Sequence, residues 1–490
     1  MIPSHWTYAD AAEMAAALAA GAVSSVELAE AAIARIEAVD PKINAVCVRD
    51  FDRALDAARA ADAQLADGER GPLLGVPMTI KESFNLAGTP TTWGYVEAKD
   101  FKPAEDALSV QRVKAAGAVI LGKTNVPVGL GDWQSYNDIY GVTRNPYDLG
   151  RSPGGSSGGS SAALAAGYGA LSLGSDIAGS LRVPAHFCGV FAHKPTHDLV
   201  PPRGSVPPRV PALPGSIDLA VIGPMARSAA DLEALLDVVA GPDDLDQGVA
   251  YRLALPPARH AGLAGFRVIV LDAHPLTVTE GCVVSAIDGL ASGLQKAGAS
   301  VSGSSELLPD LTSVSRLFTR LLFATLASRW PETEYAKMLE GAAALGAHDD
   351  TLRAENLRGA TMSFREWFAD NVKRNGLRAR WRTLFREFDA VICPVTPTPA
   401  FPHDHSPDQD ARTFMINGEP HPYSANMVWA GVATLPGLPA TTLPIGRSPE
   451  GLPIGAQIIG PWLEDRTPIH LARLIEREFG GFQPPAAFPP

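Results

Sequence analysis

Apolar positions along the chain recur at two periods, and stretches of one alternate with stretches of the other. Leu28, Ala32, Ile36 and Val39 fall on one face of a 3.6-residue repeat, which predicts an amphipathic helix. Ser24 and Glu27 form a capping box at its start, and Pro41 is expected just past its end. A second helix is predicted from about 228 to 240. There Leu232, Leu235, Leu236 and Val239 make one apolar stripe, and Gly241 marks the stop. Short β-branched runs at 117–121 and 267–271 read as strands, and strands alternating with helices argue a layered α/β fold. From 306 to 388 the pattern changes to long helical repeats rich in Leu, Phe, Trp and Arg, including Phe318, Leu321, Leu322 and Phe323. This block predicts a helical insertion packed on the sheet, with most of its aromatic residues in the core. The run 390–393 then re-enters the sheet. No fixed-period repeat is present, so the expected organisation is one large domain over 1–490.

Composition narrows the class. With 490 residues, 46% of them apolar, the chain has material for a substantial core. A net charge of −12 disfavours a generic nucleic-acid binder, which needs cations facing phosphate. Cys47, Cys188, Cys282 and Cys393 lie far apart, without the paired spacing of a metal or redox motif, and fit a reducing compartment. No cationic leader precedes the Ala-rich stretch 11–20, and no uncharged apolar run reaches about 18 residues. A cytoplasmic protein without a membrane partner is expected.

Three segments carry candidate chemistry. The first is 151–161, reading Arg-Ser-Pro-Gly-Gly-Ser-Ser-Gly-Gly-Ser-Ser. A flexible linker has this composition, but the Ala-rich helical run 162–166 follows at once. The pattern G-x-S-x-G is also matched, at 155–159. However, a nucleophile elbow needs a strand immediately upstream, and 145–153 is turn chemistry. The second segment is 171–180, an apolar strand leading into the turn Ile177-Ala178-Gly179 and ending at Ser180. Backbone N–H groups in such a turn can converge on an oxyanion. The third is 75–84, a short apolar stretch in which Lys81 closes the strand. Buried there, the lysine would lose its proton readily and could act as a general base.

Together these segments resemble the amidase signature family. Its signature lysine and serines correspond to Lys81, Ser156 and Ser180, with spacings of 75 and 24 residues. Supporting blocks match at 121–125, 143–146, 223–228, 435–439 and 451–460, so the resemblance covers nearly the whole chain, with a signature core at about 70–230. It implies an α/β/α sandwich around a central mixed sheet. It further implies that Ser180 is the nucleophile and that Ser156, after a cis peptide at Gly155, relays its proton to Lys81. The oxyanion hole would be formed by the N–H groups of Ile177, Ala178, Gly179 and Ser180. No cofactor or metal is implied. Ala178 departs from the family, which often has glycine there; a methyl group is tolerated if φ is negative. The flanking Asp176 and Arg182 are expected to be scaffolding.

The same family includes the glutamine-hydrolysing subunit of aminoacyl-tRNA amidotransferase, which holds its substrate's amino group with an acidic residue. The corresponding stretch here, 423–431, has no carboxylate, and Met427 or Trp429 would suit an aromatic or aliphatic acyl group. The stretch 132–137 is more similar to stand-alone amidases, including those acting on aryl amides and cyclic nylon oligomers. Trp133 resembles a position lining the acyl pocket. The expected partner is therefore a small amide rather than nucleic acid. Esterase and carbamate hydrolase activity and a homodimeric state stay open at this level.

Overall fold

The computed structural model describes residues 4–490. Eleven strands build the central sheet. They are β1 (Val46–Arg49), β2 (Pro77–Lys81), β3 (Val119–Thr124), β4 (Leu171–Asp176), β5 (Phe191–Lys194) and β6 (Val221–Ala226), followed by β7 (Arg267–Val270), β8 (Ser300–Ser302), β9 (Ala390–Pro394), β10 (Ala440–Arg447) and β11 (Pro453–Ile459). Their order is β1-β3-β2-β4-β6-β5-β10-β11-β9-β7-β8. Strand β2 runs parallel to both neighbours, β3 and β4, whereas β4 and β6 are antiparallel. The sheet is mixed and helices flank it, which is the predicted fold class. Every residue of β2, β3, β9 and β11 is buried. Strands covered on both faces read as continuous apolar runs, which is why β2, β9 and the first residues of β3 were visible in the sequence.

The helix predicted from Ser25 spans Ser25–Ile43, and its capping box forms: Ser24 accepts from the N–H of Glu27. The expected stop at Pro41 is wrong, since the helix carries Pro41 inside its last turn. A proline this close to the C-terminus forfeits only one intrahelical bond, and continuing buries Ile43 completely. Asn44 then ends the helix in the left-handed conformation, and Asp40 accepts from the N–H of Ala45 at 2.7 Å. The second predicted helix spans Ala229–Val239 with Ser228 as its cap.

Between 306 and 388 the chain forms four helices, Leu311–Ala327, Glu332–Ala343, Leu352–Ala360 and Phe364–Glu387. The first buries Leu317, Phe318, Leu321 and Leu322 in a cluster with Leu219, Met427 and Leu435. Ile177 and Ala178 pack against that cluster, as do Trp367 and Leu377 of the fourth helix, so the first and fourth helices adjoin the turn ahead of Ser180.

Candidate active site

Lys81 ends β2 and Asp176 ends the adjacent parallel strand β4, so the site lies beyond the carboxyl ends of paired strands. Open α/β sheets leave a crevice there. The segment 151–161 folds as a tightly packed strap, not a linker. Its helix, Gly158–Ala166, is buried at every residue and starts four residues before the predicted run. A Cβ on Gly155 would overlap the carbonyl oxygen of Asp132, and one on Gly159 would overlap the backbone of Asn125. The glycines let backbone meet backbone. The chain upstream, 152–154, is not a strand, so the elbow arrangement is absent. The Gly155–Ser156 peptide is cis.

Lys81 is fully buried and donates to Ser156 Oγ at 2.6 Å and to Ser175 Oγ at 2.9 Å. Burial lowers its pKa to about 7, against an opposing pull from the Asp176 charge. Glu82, the next residue, is turned elsewhere: its carboxylate accepts from the N–H groups of Thr92 and Trp93 at 2.5 and 2.9 Å. Lys123 and Lys194 are equally buried, but Lys123 donates to Pro90 O and Thr91 Oγ1 and Lys194 to Pro195 O. Among the described lysines, only Lys81 combines full burial with serine hydroxyl partners.

Ser180 is joined to the strap by the N–H of Ser157, which donates to Ser180 O at 3.1 Å. The turn before it is held from beneath. Asp176 accepts from the N–H of Gly179 at 2.9 Å and of Leu181 at 3.1 Å, and from Arg182 Nη2 and Nε at 2.9 and 3.0 Å. Burial pushes the Asp176 pKa up, but the Arg182 charge and these hydrogen bonds outweigh it and hold it at about 2. Arg182 in turn donates to Ala430 O, Gln457 Oε1 and Thr434 Oγ1. The Gly179 N–H is therefore occupied, whereas those of Ile177, Ala178 and Ser180 have no protein acceptor among the described residues. Gly179 takes φ +94°, and Ala178 is not among the residues with positive φ, so its methyl group fits the turn.

Trp133 is half-buried, and its Nε1 donates to Ala178 O at 3.0 Å, which sets the ring against the turn ahead of Ser180. Of the two residues suggested for the acyl group, Met427 lies in the cluster beside Ile177 and Ala178. Trp429 does not; it is fully buried in a separate cluster with Ile269, Trp381 and Val432. Helical spacing explains the difference, since residues two apart face different sides. Sequence reasoning missed Ser175 altogether. The pairing of β2 with β4, a long-range contact, is what brings it to Lys81. Among the described residues no group of three or more His, Cys, Asp or Glu could hold a metal ion, and no helix is long and apolar enough to cross a membrane.

Fold and site together define a protein of the amidase-signature architecture. The chain belongs to the Amidase family, whose model matches residues 27–468. It is 34% identical to a glutamyl-tRNA(Gln) amidotransferase subunit from Thermus thermophilus, over 95% of this chain and 96% of that one. It is 31% identical to fatty-acid amide hydrolase 2-A of Danio rerio, over 94% of this chain and 87% of that one. The solved structure of 6-aminohexanoate cyclic dimer hydrolase matches with a TM-score of 0.76 at 27% identity, covering 98% of this chain and 99% of its own.

Proposed function

We propose that this hydrolase cleaves a carboxylic amide, outside peptide bonds, through an acyl-enzyme on Ser180. The observation that carries the reading is the buried Lys81 Nζ 2.6 Å from Ser156 Oγ. A serine hydroxyl is a weak nucleophile until a base takes its proton. Neutral Lys81 takes the Ser156 proton as Ser156 takes that of Ser180, whose Oγ adds to the amide carbonyl. The resulting oxyanion is met by the free N–H groups of the 177–180 turn. The proton returns along the same path to the departing amine. Water then attacks the ester, with the relay run a second time, and releases the acid and Ser180.

Trp133, Ile177, Ala178 and Met427 favour an apolar or aromatic acyl group. A second reading, the glutamine-hydrolysing subunit of an amidotransferase, is favoured by the 34% identity to a subunit of such an enzyme. Against it stands the lack of a free carboxylate: 423–431 has none, and Asp176 and Asp132 are each bound to a buried arginine. The pH–rate profile separates base from bystander. Wild-type kcat/KM on a neutral amide should fall on acidification with an apparent pKa near 7, as Lys81 gains a proton. Lys81→Ala should lose most activity and this acid limb, and Lys81→Arg should be as poor, since guanidinium keeps its proton. An unchanged limb in Lys81→Ala would exclude Lys81 as the base.

A further inference from the structure

One buried charge pair near the site has no part in the proton relay. Asp132 and Arg412 meet at 2.6 Å with side chains 3% and 1% exposed. They come from segments 280 residues apart. Arg412 also donates to Ser406 O at 2.7 Å and to Tyr136 Oη at 2.8 Å. Asp132 accepts in addition from Tyr423 Oη at 2.5 Å. Desolvating two charges is costly, so an apolar pair of similar volume would hold the fold as well. What the ion pair adds is direction, because the planar guanidinium fixes three acceptors at once.

That direction points at the site. Asp132 precedes Trp133, and the Tyr423 ring stands edge-on to the Trp133 ring at 5.3 Å between centroids. The 132–134 backbone lies directly on Gly155, next to Ser156, and Ser152 Oγ donates to Trp133 O at 3.1 Å. Arg412 and Tyr423 bracket the hairpin of Thr413–Ile416 and Glu419–Pro422, and the N–H of Tyr423 donates to Arg412 O. Gln134 ties the same segment to Asp404 through both a donated and an accepted bond.

We propose that the Asp132–Arg412–Tyr423 unit, carried by this hairpin, positions Trp133 as a wall of the acyl pocket and so sets selectivity for flat apolar acyl groups. The inference rests on the amidase reading above. Tyr423 and Arg412 touch no reacting atom; they are positioning residues that act through Trp133. Loosening the wall removes favourable contact from a large ring and little from a methyl group. Pocket changes of this size are worth about 10–200-fold in discrimination.

The test compares benzanilide with acetanilide as substrates for wild type, Tyr423→Phe, Arg412→Ala and Arg412→Lys. Tyr423→Phe keeps the ring and removes one hydroxyl, so it remains informative if Arg412→Ala fails to fold. The ratio of kcat/KM for benzanilide over acetanilide should fall about tenfold or more in Tyr423→Phe and in folded Arg412→Ala, mainly through KM for benzanilide. Arg412→Lys should recover part of it. A ratio that holds within threefold or rises, whether both substrates lose together or neither does, overturns the proposal. Methanesulfonyl fluoride labelling of Ser180 is followed alongside. Failure to label wild type would refute the amidase reading itself, whereas labelling with an unchanged ratio refutes only the role of this unit.

Discussion

At the scale of the residue, the chemistry proposed for Lys81 is set against stability. Its pKa is lowered to about 7 by burial, while the same group in the unfolded chain titrates near 10.4. Between these values the unfolded state binds more protons than the folded one, so stability must rise with pH through that window. Below about 7 both states are protonated, and the cost of the buried charge is fully present. Lys81→Met should therefore be inactive yet more stable than wild type at pH 7, with a melting temperature higher by a few degrees. The gap should narrow toward pH 10, as read by calorimetry at several pH values. A variant less stable at pH 7 would mean that the bonds to Ser156 and Ser175 outweigh the desolvation of the charge. Lys81, Ser156 and Ser180 were singled out in the sequence by the resemblance of three segments taken together, with their spacings of 75 and 24 residues, and not by any one local string. Ser175 was not, because its role comes from the neighbouring strand alone.

At the scale of the element, the turn after β4 depends on one carboxylate. Asp176 anchors two turn N–H groups and the buried Arg182. Removing the charge leaves Arg182 uncompensated, and breaking a buried pair in this way costs about 3–5 kcal/mol. Asp176→Asn should show that loss in denaturant unfolding, and with it a loss of activity from a displaced oxyanion turn. Its pKa is depressed, so its stabilising contribution is present above the unfolded value near 3.9 and is lost as pH falls toward about 2. Wild type should accordingly lose its stability advantage over Asp176→Asn between pH 4 and 2. The strap 151–161 makes a second, steric prediction. Gly155→Ala should abolish turnover, because the new methyl group overlaps Asp132 O. Wild-type activity in this variant would show that the strap can move away from 132–134. A glycine string reads as flexible from composition; the helical run after it argued otherwise, and the backbone of 125 and 132–134 pressed against it shows the tight packing. Pro41 misled for the reverse reason: local chemistry signalled an end, but burial of Ile43 carried the helix on.

At the scale of the whole molecule, the alternation of strands and helices was legible while the strand order was not, since β1-β3-β2-β4-β6-β5-β10-β11-β9-β7-β8 is set by long-range pairing. Of the helices of 311–387, the first was recognisable by its apolar face, but Glu332–Ala343 buries no residue and Phe364 and Phe368 are exposed, against the expectation that most aromatic residues of this block lie in the core. The packing of the first and fourth helices beside Ile177 and Ala178 became visible only in the fold. With its candidate base, relay and nucleophile all on one chain, the protein should hydrolyse an amide alone. Purified protein assayed with a chelator, and without tRNA, ATP or a second subunit, should retain full activity; dependence on any of these would favour the amidotransferase reading. The central claim is that Ser180 carries the acyl group. Inactivation with a sulfonyl fluoride followed by peptide mass spectrometry tests it most directly. The account predicts one adduct, on Ser180, lost together with all turnover in Ser180→Ala. An adduct on Ser156 or Ser157, or turnover surviving in Ser180→Ala, would contradict it.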